Sequence, residues 1–231
     1  IRQSLVGSEM CIRDRANNIY KSYHQGDVEI KVLKNFSMQL LEGDFLAITG
    51  QSGSGKTTLL NILGLIDNFD SGSLNCLGND VLNMSEIDKD KTRMTNLGFV
   101  YQSNNLFDDF TAKENVALPL LLSGVTKKLA YKKSEDCLAQ FDLSTRCNHI
   151  PKDLSSGEQQ RVAIARAIIS KPNIIIADEP TGNLDIDTSR SVFDYFMKYT
   201  KANNCAVIMA THNEELAKLA NKRIIIGDND E

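Results

Sequence analysis

Gly50-Gln51-Ser52-Gly53-Ser54-Gly55-Lys56-Thr57 fits the pattern G-x-x-x-x-G-K-[ST]. Its surroundings narrow the fold further. An apolar run, Phe45 to Thr49, leads into the loop, and helical text, Thr58 to Leu65, leads out of it. Strand, glycine-rich loop and helix in that order begin an α/β core with a parallel sheet. The glycines let successive backbone N–H groups turn inward toward an anion, and the next helix points its positive dipole end at the same place. Lys56 is then expected to reach the terminal phosphates of a nucleotide, and the Thr57 hydroxyl to bind Mg²⁺. Residues 50–58, from Gly50 to Thr58, form the expected phosphate cradle.

A second motif needs the first to be interpretable. Ile174-Ile175-Ile176-Ala177-Asp178-Glu179-Pro180 is an apolar strand pattern that ends in two acids. Alone it reads equally as a strand before a polar turn. Beside a phosphate loop, carboxylates at a strand end have a use that offsets their desolvation. Asp178 is expected to hold Mg²⁺, directly or through water. Glu179 is expected to orient and deprotonate the water that attacks the γ phosphate.

The rest of the chain completes an α/β reading. Ile19 to Tyr23, Val28 to Leu33 and Phe36 to Leu40 are strand-like, with turns at His24 to Asp27 and Glu42 to Asp44. Leu97 to Tyr101, Cys205 to Ala210 and Arg223 to Gly227 are further short strands. Thr111-Ala-Lys-Glu114 is a capping box that opens a helix, and Pro119 is expected to kink or shift it. Ala130, Ser134, Cys137, Leu138 and Phe141 fall on one helical face. Asp108 to Pro151 therefore reads as an all-helical insertion, within a helical subdomain of about residues 103–160.

Composition removes several alternatives. Among 231 residues the formal net charge is -4, which offers no basic footprint for nucleic acid. The cluster Lys127, Lys128, Lys132 and Lys133 reads as a solvated helix face. Five cysteines (Cys11, Cys76, Cys137, Cys147, Cys205) lie scattered with no Cys-x-x-Cys, so neither a disulfide framework nor a zinc site is suggested. No apolar run approaches the roughly 18 residues of a membrane span. A membrane role therefore requires docking on a separate membrane subunit.

Leu154-Ser155-Ser156-Gly157-Glu158-Gln159-Gln160-Arg161 precedes a helical run and resembles the LSGGQ signature of the ABC ATPases. Other pieces follow in that family's order. Gln102 looks like the Q-loop glutamine, Gly182-Asn183-Leu184-Asp185 like the D-loop, and His212 like the switch histidine. Tyr23 sits where the family places an aromatic ring against adenine. The resemblance spans about Asn18 to Gly227 and implies a P-loop ATPase core with a parallel sheet, an antiparallel β-subdomain and the helical insertion. It implies ATP and Mg²⁺ as cofactors, with Thr57, Gln102 and Asp178 on the metal and Glu179 and His212 in hydrolysis. It also implies two copies facing head to tail, so that Ser155, Ser156, Gly157 and Glu158 of one copy meet the ATP of the other. Partners are then a second ATPase copy and one or more integral-membrane permease subunits, with no nucleic acid.

The run Phe99 to Leu122 resembles the ATPases of lipoprotein-releasing systems. Ala177 to Asp185 does so too, but macrolide-export and cell-division relatives share it. Lipoprotein release from the bacterial inner membrane is the first expectation, with the chain peripheral on the cytoplasmic face. Macrolide or peptide export and regulation of cell division follow. A soluble ABC ATPase acting on ribosomes or DNA is disfavoured by the single phosphate loop, and a non-hydrolysing scaffold by Glu179.

Two features depart from the pattern. Ser4 to Arg15, SLVGSEMCIRDR, resembles a translated sequencing-adapter scar. Residues 1–15 are accordingly expected to be non-native, and one ATPase domain to occupy residues 16–231. Position 156 is Ser where the family usually has Gly. If the site requires positive φ or close approach to phosphate, Ser156 costs about 1 kcal/mol or more; at an ordinary helix start it is harmless. Reduced but real ATPase activity is the expectation.

Overall fold

The computed structural model describes residues 12–26, 28–182, 184 and 186–227, without the side chains of Ile12, Ile186 and Asp187. In chain order the elements are β1 (Ile12–Gln25), β2 (Val28–Leu41), β3 (Phe45–Thr49), α1 (Lys56–Leu63), β4 (Ser71–Cys76), β5 (Asn79–Asp80), α2 (Glu86–Asn96), β6 (Leu97–Val100), α3 (Ala112–Leu122), α4 (Lys127–Ala139), α5 (Ser156–Ile168), β7 (Ile174–Asp178), α6 (Ile186–Asn203), β8 (Ala206–Ala210), α7 (Glu214–Leu219) and β9 (Lys222–Ile225).

The central sheet has the order β6-β7-β8-β3-β9, and all its pairings are parallel. Alternate residues on its strands face opposite layers, the period-2 consequence of the pleat. Ile174, Ile176, Ile208, Ala210, Leu46 and Ile48 pack with Leu59, Leu60, Ile62 and Leu63 of α1. Ile175, Ala177, Val207, Met209 and Phe45 pack on the other face with Val162 and Ile164 of α5 and Phe193 and Phe196 of α6. Burial on both faces explains why these strands read as continuous apolar runs.

A second, antiparallel sheet has the order β2-β1-β4-β5. Its strands β1 and β2 are each 14 residues long, where the sequence suggests three shorter ones. Register shifts in the β1–β2 ladder and left-handed backbone at Asn18 and Asn35 let the pair bend without ending. Residues 12–15 belong to β1, pairing with β2 and β4, while residues 1–11 lie outside the described part.

The helical insertion consists of α3 and α4 with short 3₁₀ turns at Ser144–Arg146 and Pro151–Asp153. Thr111 and Glu114 form the reciprocal cap, Glu114 N–H to Thr111 Oγ1 at 3.3 Å and Thr111 N–H to Glu114 Oε2 at 3.0 Å. Helix α3 continues through Pro119 to Leu122. Ala130, Ser134, Cys137, Leu138 and Phe141 are all buried, as their spacing predicts. Among the described residues, no helix is long and apolar enough to cross a membrane.

Candidate functional site

Four loops leave the carboxyl ends of adjacent parallel strands and meet there, the usual place for a ligand on an open α/β sheet. After β3 comes the phosphate loop, after β6 Gln102, after β7 Glu179, and after β8 His212. Register aligns them: Asp178 pairs with Ala210, and Ala210 with Ile48, the penultimate residue of β3. A cleft of about 600 Å³ opens between them, lined by Val32, Ser52, Gly53, Gly55, Lys56, Thr57, Thr58, Gln102, Asp178, Glu179 and His212.

The loop has the geometry an anion needs. Gly53 and Gly55 have φ of 80° and 92°, in the left-handed region that favours glycine. A Cβ on Gly55 would also lie 2.7 Å from Val32 Cγ1. Gly55 opens α1, where no side chain caps the helix and its first turn holds no acid. The N–H groups of that turn are left to an external acceptor. Lys56 is nearly buried, and its Nζ donates to the carbonyls of Gly50 and Gln51 at 2.9 and 2.8 Å.

At the inner end, the Thr57 hydroxyl donates to Asp178 Oδ2 at 2.8 Å. Burial pushes the Asp178 carboxyl above its ordinary range and the Glu179 charge adds to this, while the Thr57 hydrogen bond opposes it. Glu179 has φ of 45°, unusual for a residue with a side chain. Its N–H donates to Ala210 O at 2.9 Å, and its carbonyl accepts from Gly182 N–H at 3.0 Å, so both neighbours hold the strained turn. The turn brings Glu179 Oε2 to 2.7 Å from His212 Nδ1. That contact places a proton on Nδ1 and leaves Nε2 for another partner.

Tyr23 does not line the cleft; it stands on β1, 42% exposed. Its hydroxyl donates to Asp67 Oδ2 at 2.6 Å and interacts with Thr58 of α1. Lys21 Nζ lies 4.9 Å from the ring centroid and 3.1 Å from Asp67 Oδ1. The ring is thus fixed by α1 and the following turn. Asp67 and Val32 are additions that sequence reasoning missed; neither belongs to a motif, and a lone Asp or Val carries no local signal.

Ser155, Ser156, Gly157 and Glu158 do not line this cleft. They form the start of α5, with Ser155 as N-cap at φ -63° and ψ 161°. A Cβ on Gly157 would come to 3.1 Å from Thr188 Cγ2 of α6, so this glycine permits a close helix approach. Ser156 occupies the first helical position and is absent from the positive-φ residues. The backbone reason for impaired activity therefore does not apply. Ser156→Gly is expected to leave ATP turnover within twofold and to lower stability by about 0.5 kcal/mol, the entropic cost of helical Gly. Steady-state assay and urea melts check both. Asp185 lies outside the described residues.

Helix α5 is tied to the loop that follows β6. Arg166 donates to the carbonyls of Asn105 and Asn104 at 2.7 and 2.8 Å, so the helix carrying the signature grips the loop that carries Gln102.

A family model described as "ABC transporter" matches residues 33–182. A protein of Rickettsia bellii named "Lipoprotein-releasing system ATP-binding protein LolD" is 45% identical over 205 residues, covering 89% of this chain and 90% of its own length. A protein of the same name from Legionella pneumophila (strain Paris) is 42% identical over 211 residues, covering 91% and 93%. Among solved structures, the ATP-binding cassette MJ0796, a dimer in a post-hydrolysis state bound to ADP and Pi, superposes with a TM-score of 0.87. It is 35% identical and covers 93% of this chain and 94% of its own.

Proposed function

Because the chain belongs to the ABC transporter ATPase family, we propose that it is the ATP-hydrolysing subunit of a complex that releases lipoproteins from the bacterial inner membrane. The observation that carries hydrolysis is the Glu179–His212 contact at the mouth of a cleft walled by Lys56, Thr57 and Asp178. Lipoproteins as cargo rest on the names of relatives that match over about nine-tenths of their length.

The side chains divide the work by position. Lys56 exchanges the Gly50 and Gln51 carbonyls for the β and γ phosphates, which the loop and α1 N–H groups also hold. Adenine stacks on the face of Tyr23 away from Lys21. Tyr23→Ala is expected to weaken ATP binding about fivefold, the loss of one stacking contact, measured as Kd by nucleotide titration.

Thr57, Asp178 and Gln102 present hydroxyl, carboxylate and amide oxygens, a donor set that suits Mg²⁺. Among the described residues no cluster of three or more His, Cys, Asp or Glu could hold a metal. Bound Mg²⁺ supplies charge neutralisation to the transferring phosphoryl group. Glu179 takes the proton of the attacking water. His212, whose ring is oriented by Glu179 through Nδ1, would contact the γ phosphate.

Ser155 to Glu158 have no place in this cleft. A second copy, arranged head to tail, would bring its Ser155 hydroxyl and the N–H of its Gly157 to this γ phosphate. The membrane subunit finds its seat in an apolar groove of about 520 Å³ lined by Phe99, Tyr101, Leu118, Pro119, Leu122 and Arg166. Leu122 is 66% exposed there, and the groove borders the loop that holds Gln102. Docking on that subunit places the chain on the cytoplasmic face.

Affinity capture of the Glu179→Gln variant from detergent-solubilised membranes, with ATP present, tests the whole reading. Recovery of a permease of few spans together with lipoproteins supports it. Recovery of a drug or peptide exporter, or of division proteins, replaces lipoproteins with that role.

A further inference from the structure

The start of α5 holds a charge that its proposed task does not favour. Glu158 Oε2 accepts from Ser155 N–H at 2.8 Å, and Glu158 N–H donates to Ser155 Oγ at 3.3 Å. This reciprocal cap fixes Ser155. It also places a carboxylate at the helix end that would receive a phosphate. Hydrogen bonds from Ser155 hold the Glu158 carboxyl below its ordinary range, so it is ionised at neutral pH. A bare carboxylate there would repel the incoming nucleotide.

The other oxygen of Glu158 is occupied. Arg146 Nε donates to Oε1 at 2.9 Å. Arg146 ends the 3₁₀ turn that follows α4, and its carbonyl accepts from His149 N–H at 2.9 Å. The same segment is fastened to the start of α3: Lys113 N–H donates to Cys147 O at 2.9 Å, and Ala112 N–H to His149 O at 2.8 Å. Arg146 therefore stands on a fixed base in the helical insertion. The arginine is 43% exposed and the glutamate 18%, so water screens the pair and its contribution to stability is small. Its geometric effect is larger than its energetic one. One carboxylate is divided between two donors, so that one oxygen caps α5 and the other is neutralised.

We propose that Arg146 is a positioning residue for ATP-dependent pairing of two copies: it keeps Glu158 on the α5 cap and cancels its charge where the partner's phosphate arrives. This rests on the reading that Ser155 and Gly157 face the nucleotide of the other copy. Arg146 touches no nucleotide itself.

The test separates binding within one copy from binding between two. Full-length chain carrying Glu179→Gln is the parent, so that ATP persists. The ATP concentration for half-maximal dimerisation is read by sedimentation, and ADP affinity of the single copy by titration. Arg146→Gln is expected to raise the first about tenfold and to leave ADP affinity unchanged, with Arg146→Lys recovering part of the loss. Ser155→Ala serves as the control for the underlying reading and is expected to impair dimerisation as well. If Arg146→Gln pairs like the parent while Ser155→Ala does not, the role of Arg146 is overturned and the head-to-tail reading stands. If Ser155→Ala also pairs like the parent, the head-to-tail reading itself falls. Equal loss of ADP affinity and of pairing in Arg146→Gln marks a merely structural role and overturns the proposal.

Discussion

Glu179→Gln lowers ATP turnover about a thousandfold, the range expected for removing a general base, while ATP binding persists. The variant keeps the shape of the side chain. Its amide can still meet His212, so the strained turn at φ 45° and its two backbone hydrogen bonds are undisturbed. Only the capacity to accept a proton from water is lost. Steady-state phosphate release gives the rate, and size-exclusion chromatography with ATP gives the accompanying rise in dimer. Turnover within tenfold of the parent would mean that proton transfer is carried elsewhere in the cleft.

Asp14 gives the largest expected effect on stability. It lies on β1 with its side chain fully buried, among inward-facing Ala16, Leu40, Leu74 and Cys76. Burial raises its carboxyl from 3.8 to about 7, against hydrogen bonds from Cys76 and Leu77, and Oδ2 has no partner. Below about pH 3 the carboxyl is protonated whether the chain is folded or not. As pH rises toward 7, the unfolded chain releases this proton and the folded chain keeps it. Folding stability therefore falls through that window, by about 4 kcal/mol for a shift of this size, and stays low above it. Asp14→Asn removes the titration. Urea melts at pH 5 and pH 8 are expected to show the parent losing about 3 kcal/mol more than the variant between those values. A parallel response of both proteins would refute the assignment.

The site was more legible than the fold around it. Gly50 to Thr57, Asp178 and Glu179 could be read locally, because phosphate chemistry demands those residue types at fixed spacing. Gln102 and His212 acquired meaning only from their order in the chain, and the sheet register then brought both to the cleft. Helix α2 escaped notice because Glu86 to Asn96 has no buried residue and so no apolar period, although Ser85 and Asp88 cap it. Strand β4 was hidden for a related reason: only Leu74 and Cys76 of its six residues are buried. The joining of two short runs into β2 depends on the turn of backbone at Asn35, which no pattern of hydrophobicity records. Val32, Asp67 and Arg146 act through tertiary contacts with residues distant in sequence, and single-residue identity does not announce such contacts.

The distance between the cleft and the start of α5 has a consequence for inheritance of damage. Under the head-to-tail arrangement, each composite site draws its glutamate from one chain and its Ser155 from the other. A chain defective at Glu179 and a chain defective at Ser155, paired together, place both lesions in the same site and leave the other whole. Two alleles that are each inactive alone should therefore complement when co-expressed, whereas two lesions carried on one chain, paired with an intact copy, should spoil both sites at once.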